Sequence, residues 1–141
     1  ARFYEYKGHE VLILTRKPKE DHDKYIKWLN NDDSINKRLE DLDVLINLAG
    51  VSINNGRWSQ KHQKKIYESR MQATDILIHI IQQLEKKPKV LLNASAIGRY
   101  PTSYTEVYTE QSTEVADDFL AKTVVDWEEK AKQVEKRKVC S

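Results

Sequence analysis

Three short segments of the chain are apolar almost without interruption, and each ends in polar or small residues. HEVLILTR (9–16) runs between Gly8 and Lys17-Pro18, DVLINLAG (43–50) surrounds a single Asn47 with Val44, Leu45, Ile46 and Leu48, and KVLLNASA (89–96) follows Pro88. Their length and their content of β-formers predict strands buried on both faces, the pattern of a parallel sheet. KYIKWL (24–29) alternates apolar and polar residues and predicts a weaker, edge-like strand. NNDDSINKRLEDL (30–42) is rich in turn formers, with no period that predicts a helix.

Helical spacing appears elsewhere. Ser59 offers an N-cap for a helix from Gln60 to Lys87, in which Ile76, Leu77, Ile80, Ile81 and Leu84 share one face. Residues 114–137 predict a second helix, with Phe119, Leu120, Val124, Trp127 and Ala131 near one face. ARFYEYKG (1–8) reads as a helix ending at Lys7-Gly8, and KRKVCS (136–141) as a helix passing into a strand, so the chain is expected to be cut at both ends. Strands alternating with helices predict an α/β fold, a Rossmann-type doubly wound parallel sheet that is partial here.

Composition narrows the picture. At 141 residues one domain is expected, and 39% hydrophobic with 33% charged residues is within the globular range. A net charge of +2 gives no argument for nucleic acid, and no apolar run approaches the roughly 20 residues of a membrane span. Neither a membrane nor a nucleic-acid partner is expected. One cysteine, Cys140, rules out an internal disulfide framework, and a soluble, cytoplasmic protein is the expectation. His9, His22, His62 and His79 have no paired ligand spacing, so no metal is expected.

In open parallel sheets, ligands bind beyond the carboxyl ends of the strands, and three such ends carry candidate chemistry. At Thr15-Arg16, an Arg closing the strand can pair with the 2′-phosphate of a dinucleotide, or can be an ordinary solvated cation. At Leu48-Ala49-Gly50, small residues let a ring or sugar lie on the backbone, or simply close the strand. At Ala94-Ser95, a hydroxyl can meet a substrate oxygen or satisfy its own backbone. Asp117-Asp118 and Glu128-Glu129 read as surface charges, and Trp28 and Trp127 as core residues; Arg57 and Trp58 have no assigned role.

DVLINLAG, followed in order by RW, SRMQAT, NASAIGRY, YTE and DFLAKTVVDWEEKA, resembles the atypical extended short-chain dehydrogenase/reductases of the epimerase family. These are relatives of the NAD(P)-dependent nucleotide-sugar epimerases. The resemblance implies an incomplete NAD(P)-binding Rossmann domain over residues 1–141, with the Gly-rich phosphate loop and the substrate-binding portion absent from this chain. It implies NADP as cofactor, with NAD possible, and a small-molecule substrate that could be a sugar nucleotide. It implies cofactor contacts at Thr15, Arg16, Leu48, Ala49, Gly50 and Ala94, and at Arg70, which falls four residues before the matching Thr74 where related epimerases carry an Asn. Ser95 matches the Ser that hydrogen-bonds the reacting group in active relatives. One departure is plain. Active relatives use a Tyr-x-x-x-Lys pair, whose Lys lowers the Tyr pKa. No Tyr lies in residues 114–137; alignment on Glu128 puts Leu120 and Val124 at the pair's positions, with Lys122 off that face. Tyr100 or Tyr104, in the loop after Ser95, could supply the phenol; a non-catalytic NADP-binding module is the alternative.

Overall fold

The computed structural model describes residues 1–18, 23–28, 34–54 and 58–136. Expectations resting on Lys19, His22, Leu29, Arg57, Cys140 and the strand start at 138–141 lie outside the described residues. Helix α1 (Arg2–Tyr6) ends where predicted: Gly8 takes a left-handed φ of 85°, and the His9 N–H donates to the Tyr4 carbonyl at 3.0 Å. The strands are β1 (Ile13–Thr15), β2 (Tyr25–Lys27), β3 (Val44–Asn47) and β4 (Val90–Asn93). They pair as two parallel ladders, β1 with β2 and β3 with β4, the second running in register from Val44 opposite Val90 to Asn47 opposite Asn93. Each strand is shorter than its apolar run, because a ladder requires a partner alongside and an apolar side chain does not.

The segment predicted to lack a helix contains one. Helix α2 (Ser34–Leu39) buries Ile35 and Leu39, a single i, i+4 pair, too few residues to show as a period in the sequence. The long helix α3 (Gln60–Gln83) starts as expected, with the Ser59 hydroxyl accepting the His62 N–H at 3.3 Å. It stops four residues before the predicted Lys87. The Glu40 carboxylate accepts the backbone N–H groups of Glu85 and Lys86 at 3.0 and 2.9 Å, anchoring the chain as it leaves the helix. Helix α4 (Phe119–Lys136) begins five residues later than predicted, where Asp118 accepts the Ala121 N–H at 2.8 Å. Asp118 is thus an exposed charge, as expected, that also caps the helix.

One core joins the elements. Ile26 and Trp28 from the β2 region, Ile35 and Leu39 from α2, Leu45 from β3 and Leu77, Ile80 and Ile81 from α3 pack together. The strands are not buried on both faces as predicted. Helix α3 covers the face of β3 and β4 that carries Leu45 and Leu91. On the opposite face Val44, Ile46, Val90 and Leu92 remain between 44% and 49% exposed. Among the described residues no helix is long and apolar enough to cross a membrane, and no cluster of His, Cys, Asp and Glu could hold a metal ion.

Candidate functional site

The carboxyl ends of β3 and β4 are joined by a buried polar network. Asn47 and Asn93 are directly opposed in the ladder, and the Asn47 amide donates to Asn93 Oδ1 at 2.7 Å and to Thr74 Oγ1 at 3.1 Å. Asn47 Oδ1 accepts the Ala49 N–H at 3.1 Å, which turns the chain just after the strand. Thr74, on α3, also accepts the Trp127 indole N–H at 2.9 Å and donates to the Arg70 carbonyl at 2.8 Å. One strand and two helices thus meet at the Thr74 hydroxyl, and the second strand joins through Asn93 and Asn47. Trp127, expected in the core, is thus also a hydrogen-bond donor, and Asn47, Asn93 and Thr74 form a set that no sequence expectation joins. The available signal was the repeated strand ending, DVLIN and KVLLN, which puts the same amide at the same position of two strands.

Beyond this network lie the predicted residues. Leu48 is 76% exposed, Ala49 half-buried, and Gly50 faces Arg70. A Cβ on Gly50 would come within 2.9 Å of Arg70 Cζ. The guanidinium lies over the Trp127 ring, 5.3 Å from its centroid, and donates through Nη1 to the carbonyls of Val51 and Ile66 at 3.1 and 3.0 Å. Burial pushes the Arg70 pKa down, but an arginine remains charged at any ordinary pH. The loop after β3 is further held by the Val51 N–H donating to Ser69 Oγ at 3.0 Å. Gly50 is therefore small enough for Arg70 to close over it, a reason the sequence alone did not offer.

At the end of β4, the Ala94 N–H donates to the Asn47 carbonyl at 3.0 Å. The exposed Ser95 donates its hydroxyl proton to the Glu128 carboxylate, and Arg99 pairs with the other carboxylate oxygen. Glu128, expected as a surface charge, has a side chain only 21% exposed, held by partners 29 and 33 residues away in sequence. On α4, Val124 is buried, Leu120 half-buried and Lys122 exposed. Tyr100 is held inside its own loop: it stacks on Tyr108 at 5.1 Å and donates to the Thr109 carbonyl at 3.0 Å. Tyr104 is fully exposed. Tyr108 bonds Glu106 at 2.6 Å, and that carboxylate pushes its phenol up to about 12. At the end of β1, Thr15 Oγ1 accepts the Lys17 N–H at 3.3 Å, and Arg16 is exposed, distant in sequence from the other ends.

Comparison with known proteins shows the family. Residues 1–127 match the NAD dependent epimerase/dehydratase family. The chain is 40% identical over 131 residues to the epimerase family protein YfhF of Bacillus subtilis, covering 91% of this chain and 43% of that protein. It is 40% identical to the epimerase family protein SH2119 of Staphylococcus haemolyticus, covering 89% and 42%. The chain thus spans about two-fifths of the length of these relatives. Among solved structures, the human epimerase family protein SDR39U1, determined with NADPH, superposes with a TM-score of 0.78 at 31% identity, over 92% of this chain and 43% of that one. A nucleoside-diphosphate sugar epimerase from Corynebacterium glutamicum superposes with a TM-score of 0.69 at 32% identity, over 92% and 26%. With parallel β/α units and a family match over residues 1–127, this chain belongs to the NAD dependent epimerase/dehydratase family.

Proposed function

We propose that residues 1–141 form an incomplete NAD(P)-binding Rossmann domain of a cytoplasmic oxidoreductase or epimerase that uses NADP in preference to NAD. The substrate would be a small molecule of the sugar-nucleotide class. The observation that carries this reading is the in-register pair Asn47 and Asn93, which brings the ends Leu48-Ala49-Gly50 and Ala94-Ser95 side by side where an open parallel sheet binds ligands. The NADPH in the human relative supports the choice of cofactor.

The residues fit such a ligand. Arg16 is an exposed guanidinium with no hydrogen bond or ion pair among the described residues, so its planar fork is available to a 2′-phosphate, with Thr15 beside it. Leu48, Ala49 and Gly50 would lie along the dinucleotide, Arg70 would place a fixed positive charge at the β3 end, and Ala94 would border the nicotinamide end. Bound NADP would supply hydride chemistry. Ser95 is the side chain we assign to the reacting oxygen of the substrate. Tyr100 serves as a phenol only by giving up its bond to the Thr109 carbonyl.

The lack of any Tyr in residues 114–137 favours a second reading, a non-catalytic NADP-binding regulatory or interaction module. Turnover of sugar nucleotides with NADP separates the two. The binding proposal is tested by titrating NADPH and NADH against the full-length protein and its Arg16→Glu variant. Loss of a charge-assisted phosphate contact is expected to weaken NADPH roughly tenfold or more while leaving NADH nearly unchanged. Equal losses for both nucleotides would remove Arg16 from the site, and no NADPH binding to the parent protein would remove the proposal.

A further inference from the structure

Ser95, Glu128 and Arg99 form a hydrogen-bonded chain with a fixed direction. A hydroxyl has one proton to donate and two lone pairs to offer. Ser95 gives its proton to Glu128, so what it can present to a ligand at the end of β4 is a lone pair. Glu128 has little freedom to release that proton's position. It adjoins Trp127, which is buried and pinned through its indole N–H to Thr74, and its second oxygen is taken by Arg99. An arginine can only donate, so the whole chain runs one way, with Glu128 as the double acceptor at its centre.

We propose that Glu128 is a positioning residue that sets Ser95 as a hydrogen-bond acceptor, so that the strand-end site takes its ligand as an alcohol in preference to the matching carbonyl compound. An alcohol donates to the Ser95 oxygen; a ketone offers only acceptors and faces a lone pair. The inference rests on the strand-end reading of the site given above, and adds which oxidation state of the ligand the site is built to receive.

The polarity can be reversed with one atom. In Glu128→Gln the amide oxygen must face Arg99, which leaves the amide N–H group facing Ser95. The Ser95 oxygen then accepts from Gln, its proton turns outward, and the site should favour the carbonyl ligand. In Glu128→Ala the hydroxyl is free to rotate, and the preference should vanish.

UDP-6-deoxyglucose and UDP-4-keto-6-deoxyglucose differ only at one carbon, as alcohol and ketone. Their affinities for the full-length protein are measured by ligand-observed NMR without nicotinamide cofactor, so that neither turns over. The parent protein is expected to favour the alcohol roughly tenfold, the worth of one well-made hydrogen bond; Glu128→Gln is expected to favour the ketone and Glu128→Ala neither. A pair that only held α4 against the turn at Ile97–Arg99 would lower stability in the variants and leave the preference where it was. The same preference in all three proteins overturns the inference, as does failure of the parent protein to bind either sugar. Glu128→Gln is nearly isosteric and carries the test if Glu128→Ala does not fold. NADPH titration separates the two levels: NADPH binding with no Glu128 dependence of the sugar preference removes this inference alone, and absence of NADPH binding removes the nucleotide reading beneath it.

Discussion

Thr74 is 1% exposed and uses every hydrogen-bonding position its hydroxyl has, accepting from Asn47 and Trp127 and donating to Arg70. Each of those donors is costly to leave unmade, about 1–3 kcal/mol for a buried polar group without a partner, so this small network holds the strand ends firmly. A threonine in a helix is visible in a sequence; that two donors from distant elements converge on it is not. Gly50 makes the same point from the other side. Its smallness read as room for a ligand, and the structure places the Arg70 guanidinium against it. Gly50→Ala is therefore expected to cost on the order of 1 kcal/mol by pushing Arg70 off the Trp127 ring, and to cost markedly less in an Arg70→Ala background. Urea denaturation of the four proteins in the cycle measures this. An unchanged cost without Arg70 would mean that something else crowds Gly50.

At the level of elements, α3 and α4 are joined by polar contacts as well as by packing. Lys130 pairs with Asp75 at 2.6 Å, and the Tyr67 hydroxyl donates to Asp126 at 2.9 Å. That hydrogen bond first, then burial and the Asp126 charge, holds the Tyr67 phenol above its ordinary value of about 10. The folded state thus favours protonated Tyr67. Its contribution is whole below pH of about 10 and disappears as pH rises through the higher folded value, where a phenolate would face a carboxylate. Urea denaturation at a series of alkaline pH values should show the parent protein losing stability in this window and Tyr67→Phe losing less. Tyr108, pushed up to about 12, titrates in both proteins and does not account for the difference. Parallel alkaline curves would show that the Asp126 bond carries no stability. The helices themselves were legible because α3 repeats an apolar face over many turns. Helix α2 was not, because Ile35 and Leu39 make only one repeat and its place was decided by the core that receives them.

Across the whole molecule, the feature with the largest physical consequence is the uncovered face of β3 and β4. Parallel sheets are ordinarily covered on both sides, and here Val44, Ile46, Val90 and Leu92 form a continuous apolar patch on one. The chain is expected to self-associate and to bind hydrophobic dye through this patch. Ile46→Lys with Leu92→Thr should suppress both while changing stability by no more than about 0.5 kcal/mol per site, whereas Leu45→Ala, on the covered face one residue away, should cost about 2–5 kcal/mol. Sedimentation with and without the double substitution decides it; a parent protein that stays monomeric and dark to dye would refute the prediction. The contrast between Leu45 and Ile46 also marks the boundary between what the chain encodes locally and what it does not. Hydrophobic runs, caps and breakers determined that there would be parallel strands, two long helices and a family signature, because these depend on neighbours a few residues apart. Which face of a strand is buried, that Arg70 sits against Gly50, and that Ser95 points its proton at Glu128 were decided only in three dimensions. Each depends on a partner that sequence distance hides, 20 residues away for Gly50 and Arg70 and 33 for Ser95 and Glu128. Packing, not local propensity, chooses such partners.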